Sequence, residues 1–206
     1  MDQSATKAMI ECGVSGMGLA GQPESGDLHI VKLFPDGCLI GVVDGLGHGP
    51  EAAVAARIAV RTLEDFPTQS PISLVKNCHE QLIGTRGVVM SIASINFMDN
   101  TLTWIGVGNV EGIVWRADSR SRPLKERILT RSGVVGYQLP RLQEKVLSVT
   151  AGDVVIFVTD GIGNEFAEKI NIQESPQAIA DGIFSRHAKG TDDALVLVTK
   201  YKGGHL

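Results

Sequence analysis

Cysteine is scarce in this sequence, and the few cysteines present do not suggest a pair. Cys12, Cys38 and Cys78 are odd in number and far apart, and no two of them form a C-x-x-C motif. Neither a disulfide framework nor a zinc knuckle is therefore predicted. Cys38 and Cys78 lie inside apolar segments, so we expect them to be reduced core residues rather than nucleophiles.

The sequence also lacks a basic face, an export signal and a long apolar run. It has 19 Lys and Arg against 23 Asp and Glu, and only residues 116–131 concentrate basic side chains, which argues against a nucleic-acid binder. No apolar run approaches the ~20 residues that a membrane helix needs. The segment from Met1 to Cys12 mixes charged with small residues and has no apolar signal-peptide core. We therefore expect a cytoplasmic protein that binds neither nucleic acid nor membrane.

The sequence does contain many apolar runs of strand length. Asp99 and Asn100 separate two of these runs and predict a tight hairpin, because both residue types tolerate turn conformations. The predicted strands are Ile30 to Leu33, Cys38 to Val43, Val88 to Phe97, Thr101 to Val107, Gly112 to Trp115, Val154 to Val158 and Ala194 to Val198. A protein with a substantial β-sheet core is therefore expected.

Three helices are predicted to begin at a proline. An alanine-rich helix runs from Pro50 to about Leu63. Two further helices, Ser70 to about Leu82 and Ser175 to about His187, each begin with a serine N-cap followed by proline. Strands follow one another while helices do not alternate with them one for one. This order favours an α+β fold, with two packed sheets and helices outside, over a doubly wound parallel sheet.

Aspartates stand at the boundaries of several predicted strands. They are Asp27, Asp44 in the segment Asp44-Gly45-Leu46-Gly47-His48-Gly49, Asp160 in Thr159-Asp160-Gly161, and the pair Asp192-Asp193. A single Asp-Gly is more often a simple strand-ending turn. The recurrence of the arrangement favours a shared site instead, because an ionised carboxylate at the end of a buried strand is costly unless it is paired or bound to a metal.

Clustered carboxylates without cysteine form a hard oxygen site, which suits Mg²⁺ or Mn²⁺ rather than zinc or copper. Two such ions held ~4 Å apart activate a water and neutralise a phosphoryl group during in-line displacement. This chemistry indicates phosphoester hydrolysis. The pattern of aspartates alone does not separate a phosphatase from other two-metal hydrolases.

The order of four segments resembles the PPM-type metal-dependent serine/threonine phosphatases. The segments are Ser25-Gly26-Asp27; Val42-Val43-Asp44 with the glycine-rich run to Gly49; Gly152-Asp153 with Phe157-Val158-Thr159-Asp160-Gly161; and Asp192-Asp193 with Ala194 to Val198. The Gly-His-Gly ending is similar to the bacterial SpoIIE branch. The resemblance covers essentially residues 20 to 200. It implies one catalytic domain over residues 1–206, an αββα sandwich of two mainly antiparallel sheets flanked by helices.

The resemblance also implies roles for individual residues. Asp44 is similar to the carboxylate that bridges both metals, and Gly45 would supply its backbone carbonyl. Asp27 and Asp160 resemble ligands of one or the other ion, and Asp192 resembles the last ligand. The implied cofactors are two divalent cations, Mn²⁺ or Mg²⁺.

Other positions are open or depart from the family pattern. Asp193 is either a group that supports the metal ligands or a surface turn residue. His48 is either a proton donor to the leaving oxygen or a structural histidine at the helix entry. Residues 106–109 and 132–136 are interpreted as tight turns near the site. Relatives outside the bacterial branch carry a phosphate-gripping arginine near the first motif, and no arginine precedes Asp27 here.

Three functions are weighed for these residues. The first is an active phosphoprotein phosphatase, whose resemblance within the branch implies phosphorylated STAS-domain proteins of a stressosome as partners. The second is a pseudophosphatase, the same fold used as a protein-binding module. The third, a two-metal phosphodiesterase, is expected to need a basic groove that the sequence lacks. The polar segment Ala117 to Arg127 is predicted to be a surface loop and a candidate docking element.

Overall fold

The structure is a computed structural model that describes residues 9–168 and 170–203. The first eight residues, part of the stretch in which no export signal is predicted, lie outside the described residues. Two β-sheets form the centre of the molecule, and helices cover their outer faces. None of the described helices is long and apolar enough to cross a membrane.

The first sheet has five strands, and all neighbouring strands in it are antiparallel. In spatial order they are β1 (Ile10–Met17), β11 (Ala194–Tyr201), β10 (Val154–Val158), β6 (Glu111–Trp115) and β7 (Lys125–Arg127). Strand β10 and the first five residues of β11, Ala194 to Val198, are apolar and buried, and both strands lie in the middle of the sheet, where both faces are covered. This explains why their continuous apolar runs predicted strands.

The second sheet has six strands, and only the pair β5 and β8 is parallel. The strands are β2 (Asp27–Phe34), β3 (Gly37–Gly45), β4 (Val88–Asn96), β5 (Thr101–Val107) and β8 (Thr130–Arg131), with β9 (Lys145–Ser148) pairing on β5. The predicted hairpin joins β4 to β5, and Asn100 has the positive φ of 54° that the turn requires. Both the hairpin and the α+β class are confirmed.

The helices begin where the sequence predicts. They are α1 (Pro50–Asp65), α2 (Pro71–Gln81) and α3 (Pro176–His187), and a short 3₁₀ helix spans Asn164–Ala167. The hydroxyl oxygen of Ser70 accepts from the amide of Ser73, and that of Ser175 accepts from the amide of Ala178. Each serine therefore satisfies one of the amide groups that a helix leaves unpaired in its first turn.

The molecule is layered in the order helix, sheet, sheet, helix, and an apolar cluster fills each space between neighbouring layers. The central cluster joins the two sheets and includes Ile40, Trp104 and Phe157. A second cluster packs the second sheet against α1 and α2, and a third packs the first sheet against α3. The observed αββα sandwich confirms the predicted fold class.

Among the strands of the described residues, four were not predicted. Strand β1 contains two glycines and lies at the edge of its sheet, where only Ile10 and Gly13 are buried, so it lacks an apolar run. Strands β7, β8 and β9 are only two to four residues long and mostly exposed. Short edge strands are specified by their pairing partners more than by their own composition.

Candidate active site

Two aspartates come together through the pairing of β2 and β3. Asp27 is the first residue of β2 and lies directly opposite Asp44, near the end of β3. Directly opposed residues in an antiparallel pair point to the same face, so the two carboxylates are neighbours. The predicted convergence of these two strand boundaries is therefore observed.

The other two aspartates reach the same place from the first sheet. Asp160 follows β10 by two residues, and Asp192 precedes β11 by two residues. Because β10 and β11 are antiparallel neighbours, the end of one adjoins the start of the other, as the pairing of Val158 with Val196 shows. The edge at which these strands end is also the edge that carries Asp44.

A cleft of about 430 Å³ opens at this edge. Asp44, Asp160 and Asp192 lie in its wall, together with the exposed His48. The remaining wall is formed by Leu46, Gly47, Val89, Gly108, Asn109, Ser132, Gly133 and Val134. The segments 106–109 and 132–136, interpreted from sequence as structural turns, thus contribute directly to the cleft.

The carboxyl group of Asp44 is held in an unfavourable environment for a negative charge. Burial, as the largest cause, and the charges of Asp27, Asp160, Asp192 and Asp193 together raise its pKa to about 9. A carboxyl group in such surroundings either keeps a proton or requires a cation.

Asp27 is in a similar position but has one favourable partner. The side chain is 5% exposed, and burial is the largest of the causes that raise its pKa to about 7. The hydroxyl of Thr159 donates a hydrogen bond of 2.7 Å to Asp27 Oδ2, which lowers the pKa in part. Asp27 does not line the cleft and lies beneath Asp44 on the neighbouring strand.

Thr159 links the two sheets at the site. Its hydroxyl oxygen accepts a 2.9 Å hydrogen bond from the amide of Leu195 while donating to Asp27. The side chain is buried, so both hydrogen bonds are shielded from water. Sequence reasoning did not assign Thr159 a role, although it directly precedes Asp160.

Asp193 is buried and supports the site from behind. It is 3% exposed, and its two carboxylate oxygens accept hydrogen bonds of 2.6 Å from the amides of Leu19 and Gly26. The interpretation of Asp193 as a surface turn residue is therefore wrong. Its neighbour Asp192, by contrast, lies in the wall of the cleft.

Asn109 is a site residue that the sequence did not reveal. Its side-chain Nδ2 donates a 2.7 Å hydrogen bond to Asp160 Oδ2 across 51 positions of sequence. The loop between β5 and β6 carries Asn109, so this contact ties a loop leaving the second sheet to the end of β10. Asp160 is exposed and would otherwise be free to rotate, and the amide group restricts it.

Gly45 is required by packing at the base of the cleft. A Cβ atom at this position would lie 2.2 Å from the carbonyl oxygen of Ala52 on α1. The amide of Gly45 donates to the carbonyl of Gly26 at 3.0 Å. The small residue therefore allows α1 to approach the end of β3, where Asp44 lies.

The four carboxylates offer the type of donor atom that a hard cation prefers. Among residues 9–168 and 170–203, no three side chains of His, Cys, Asp or Glu form a set that would hold a metal as they stand. The donors are nevertheless oxygen atoms only, and the raised pKa values of Asp27 and Asp44 identify negative charge that protein groups do not neutralise. Divalent Mg²⁺ and Mn²⁺ prefer such donors and complete their coordination with water and backbone oxygens.

Asp153, the remaining aspartate of the predicted motifs, lies away from the cleft. Asp153 is at the opposite end of β10 from Asp160, where it is 1% exposed and binds Arg116 and the amide of Ala117. The start of the segment Ala117 to Arg127 is therefore anchored far from the cleft. This location does not favour the predicted docking role for that loop.

Comparison with known proteins assigns the family. Residues 35–202 match the family model described as Stage II sporulation protein E (SpoIIE). The chain is 26% identical over 143 residues to the phosphoserine phosphatase RsbX of Bacillus subtilis (strain 168), covering 69% of each chain.

Solved structures show the same fold. A chain reported under the description "The bacterial stressosome: a modular system that has been adapted to control secondary messenger signaling" superimposes with a TM-score of 0.84 at 26% identity, covering 93% of this chain and 99% of that one. RsbX in complex with magnesium superimposes with a TM-score of 0.82 at 21% identity, covering 94% and 96%. The chain therefore belongs to the SpoIIE family and is a PPM-type protein serine/threonine phosphatase similar to RsbX.

Proposed function

We propose that this chain removes phosphate from phosphoserine or phosphothreonine of a partner protein, with two divalent cations, Mg²⁺ or Mn²⁺, bound at the acidic cleft. The observation that carries the proposal is the opposed pair of the buried Asp27 and the half-buried Asp44, both with raised pKa values, at a cleft that also exposes Asp160 and Asp192. Such a concentration of negative charge opposes phosphate binding unless cations offset it.

The four aspartates and one carbonyl group would hold the cations. Asp44 would bind both, Gly45 would offer its backbone carbonyl, and Asp27, Asp160 and Asp192 would each bind one or the other ion. When bound, the cations would activate a water for in-line attack on phosphorus and neutralise the phosphoryl oxygens. We assign the whole of residues 1–206 to this one catalytic activity.

The protein's own groups would orient these ligands and handle the proton. The hydrogen bond from Thr159 holds Asp27, and the hydrogen bond from Asn109 holds Asp160. His48 is exposed in the wall of the cleft, where an imidazolium would donate a proton to the departing serine or threonine oxygen. This position supports the proton-donor interpretation of His48 over a purely structural one.

We propose phosphorylated STAS-domain proteins of a stressosome as the substrates. The support is the similarity to RsbX and to a chain described with the bacterial stressosome. A folded partner would add binding energy from surfaces remote from the phosphate, which an open cleft cannot obtain from a small phosphoester. The reaction would reset the signal that a kinase acting on the same partner had set.

The alternative is a pseudophosphatase that binds partners without turnover, and one experiment separates the two. Purified protein is incubated with a phosphorylated STAS-domain protein and with p-nitrophenyl phosphate, in EDTA and after addition of Mn²⁺ or Mg²⁺. We expect no phosphate release in EDTA, recovery when the cation is added, and a far higher kcat/KM on the protein substrate. Full activity in EDTA would contradict the metal mechanism, and binding without phosphate release in either cation would favour the pseudophosphatase.

A further inference from the structure

The cleft itself offers little positive charge to a phosphate group. Of the described residues that line it, three are aspartates and none is a lysine or an arginine. Bound cations would offset part of the negative charge, but a phosphoryl group is usually also oriented by charged hydrogen-bond donors. A donor of this kind would therefore have to come from residues that adjoin the cleft.

Arg86 lies against the glycine-rich loop that forms one wall of the cleft. Its Nη1 atom is 2.7 Å from the position that a Cβ atom on Gly47 would occupy. Gly47 lines the cleft and has a φ of +86°. Only glycine fits at this position, both because of its backbone conformation and because a side chain would displace the guanidinium group.

The backbone beside Arg86 is fixed to the same loop. The amide of Leu46, in the cleft wall, donates a 3.1 Å hydrogen bond to the carbonyl of Gly87. The amide of Gly87 donates to the Thr85 hydroxyl at 3.0 Å, and that hydroxyl donates to the carbonyl of Leu82 at 2.7 Å. The base of the Arg86 side chain is thus held next to the cleft, while its guanidinium lies at the surface in an adjoining groove that Glu51 also lines.

The guanidinium group of Arg86 is held by an ion pair that a stronger anion could replace. It pairs through Nη2 with Glu51 in the first turn of α1, and the two side chains are 46% and 70% exposed. Ion pairs with this exposure are weak, because water screens them and both side chains lose freedom on pairing. A phosphate dianion is a stronger partner, since it presents several charged oxygens to the guanidinium fork.

We propose that Arg86 binds the phosphoryl oxygens of the substrate, with Glu51 as its partner when the cleft holds no phosphate. This inference rests on the proposed phosphatase function and adds a substrate-binding residue to it. Another cation near the site, Lys189, donates its Nζ to the carbonyl oxygen of Asp160 at 2.6 Å and is thereby engaged on the main chain. Arg86 would supply from the segment before β4 a positive charge that the cleft wall lacks.

The test compares Arg86→Ala with a control that removes the same charge elsewhere. Arg61 is an exposed arginine of α1 that lines a separate groove with Asp65 and Phe66, so Arg61→Ala is the matched variant. The affinity for inorganic phosphate is measured by calorimetry in Mg²⁺, and kcat and KM are measured on p-nitrophenyl phosphate. We expect Arg86→Ala to weaken phosphate binding and raise KM about tenfold or more, with Arg61→Ala within about twofold of wild type.

Two further variants sharpen the result. Arg86→Lys keeps the charge but loses the fork, and it should fall between wild type and Arg86→Ala. Glu51→Gln removes the competing carboxylate and should leave phosphate binding unchanged or tighter. Thermal melting of each variant checks that the fold is retained.

Several outcomes would overturn the proposal. Unchanged phosphate affinity in Arg86→Ala would do so, as would a raised KM confined to the phosphoprotein substrate, because Arg86 would then contact the protein chain and not the phosphoryl group. Failure of the wild-type protein to bind phosphate would also overturn it. Since calorimetry needs no turnover, the role of Arg86 is decided even if the wild-type protein hydrolyses nothing, which would count against the proposed function instead.

Discussion

The two ends of β10 each carry an aspartate motif, and the two motifs have opposite surroundings. At the start of the strand, Asp153 is buried but receives hydrogen bonds from Arg116, from the amide of Ala117 and from Thr150. At the other end, Asp160 faces a cleft shared with further aspartates. One end of the strand neutralises its carboxylate with protein groups, and the other accumulates negative charge.

This contrast shows how buried carboxylates of identical type divide into structural and functional groups. A charge matched by a guanidinium and backbone amides stabilises the fold once it has formed. A charge surrounded by other carboxylates destabilises it, and such an arrangement is retained where a ligand provides the missing cation. The raised pKa values of Asp27 and Asp44 belong to the second group.

The largest expected difference, in both kcat and the free energy of unfolding, is between the variants Asp44→Asn and Asp153→Asn. We expect Asp44→Asn to lower kcat at least about a thousandfold, because it removes the charge that would hold both cations, while its melting temperature in EDTA does not fall. Asp153→Asn should keep kcat per folded molecule but lower the free energy of unfolding by about 3 kcal/mol, since Arg116 loses the buried one of its two charged partners and keeps only Glu126. Enzyme kinetics and urea unfolding of both variants measure the two effects. Loss of stability in Asp44→Asn together with loss of kcat in Asp153→Asn would contradict the division into a functional and a structural aspartate.

The adjacent residues Asp192 and Asp193 provide a finer version of the same test. Asp192 faces the cleft, so Asp192→Asn should reduce activity strongly with little effect on stability. In Asp193→Asn the amide nitrogen would oppose the amide of Leu19 or Gly26, so stability should fall by about 1–3 kcal/mol while activity falls less. If Asp193→Asn were the more damaging to kcat, the assignment of the last ligand would be wrong by one position.

The smallest expected effect concerns pH in the absence of cations. The pKa values of Asp27 and Asp44 are raised in the folded protein, so the folded state keeps protons that the unfolded state releases. The stability that these two carboxyl groups contribute in EDTA should therefore be full below about pH 4 and be lost as the pH rises through about 7 and about 9. Melting temperatures across this range should decline less steeply in Asp44→Asn, and equal slopes would contradict the assignment.

Much of the fold could be predicted because it depends on local sequence. Central strands such as β10 are continuous apolar runs, and the serine-proline pairs at α2 and α3 specify helix starts without help from distant residues. Strand β1 could not be predicted, because it contains two glycines and no apolar run, and its pairing with β11 is what specifies it. The boundary aspartates were visible because they recur: one Asp-Gly is an ordinary turn, whereas aspartates at several strand boundaries favour a shared site.

The supporting residues of the site depend on contacts that sequence spacing hides. Asn109 meets Asp160 across 51 positions, and Thr159 meets Asp27 across 132. Which member of the pair Asp192-Asp193 is buried depends on the loop that carries Leu19 and Gly26. Polar partners of this kind follow from the packing of the two sheets, so they became visible only in the folded chain.

The most direct test of the central claim is a titration of the protein with Mn²⁺ at pH 7.5, followed by the electron paramagnetic resonance signal of the free ion. We expect wild-type protein and folded Asp153→Asn to remove the free-ion signal with the same saturable affinity, whereas Asp44→Asn leaves the signal unchanged at the same concentrations. Binding of Mn²⁺ to Asp44→Asn as tightly as to wild type would contradict the claim that the aspartates at this end of β10 form a cation site.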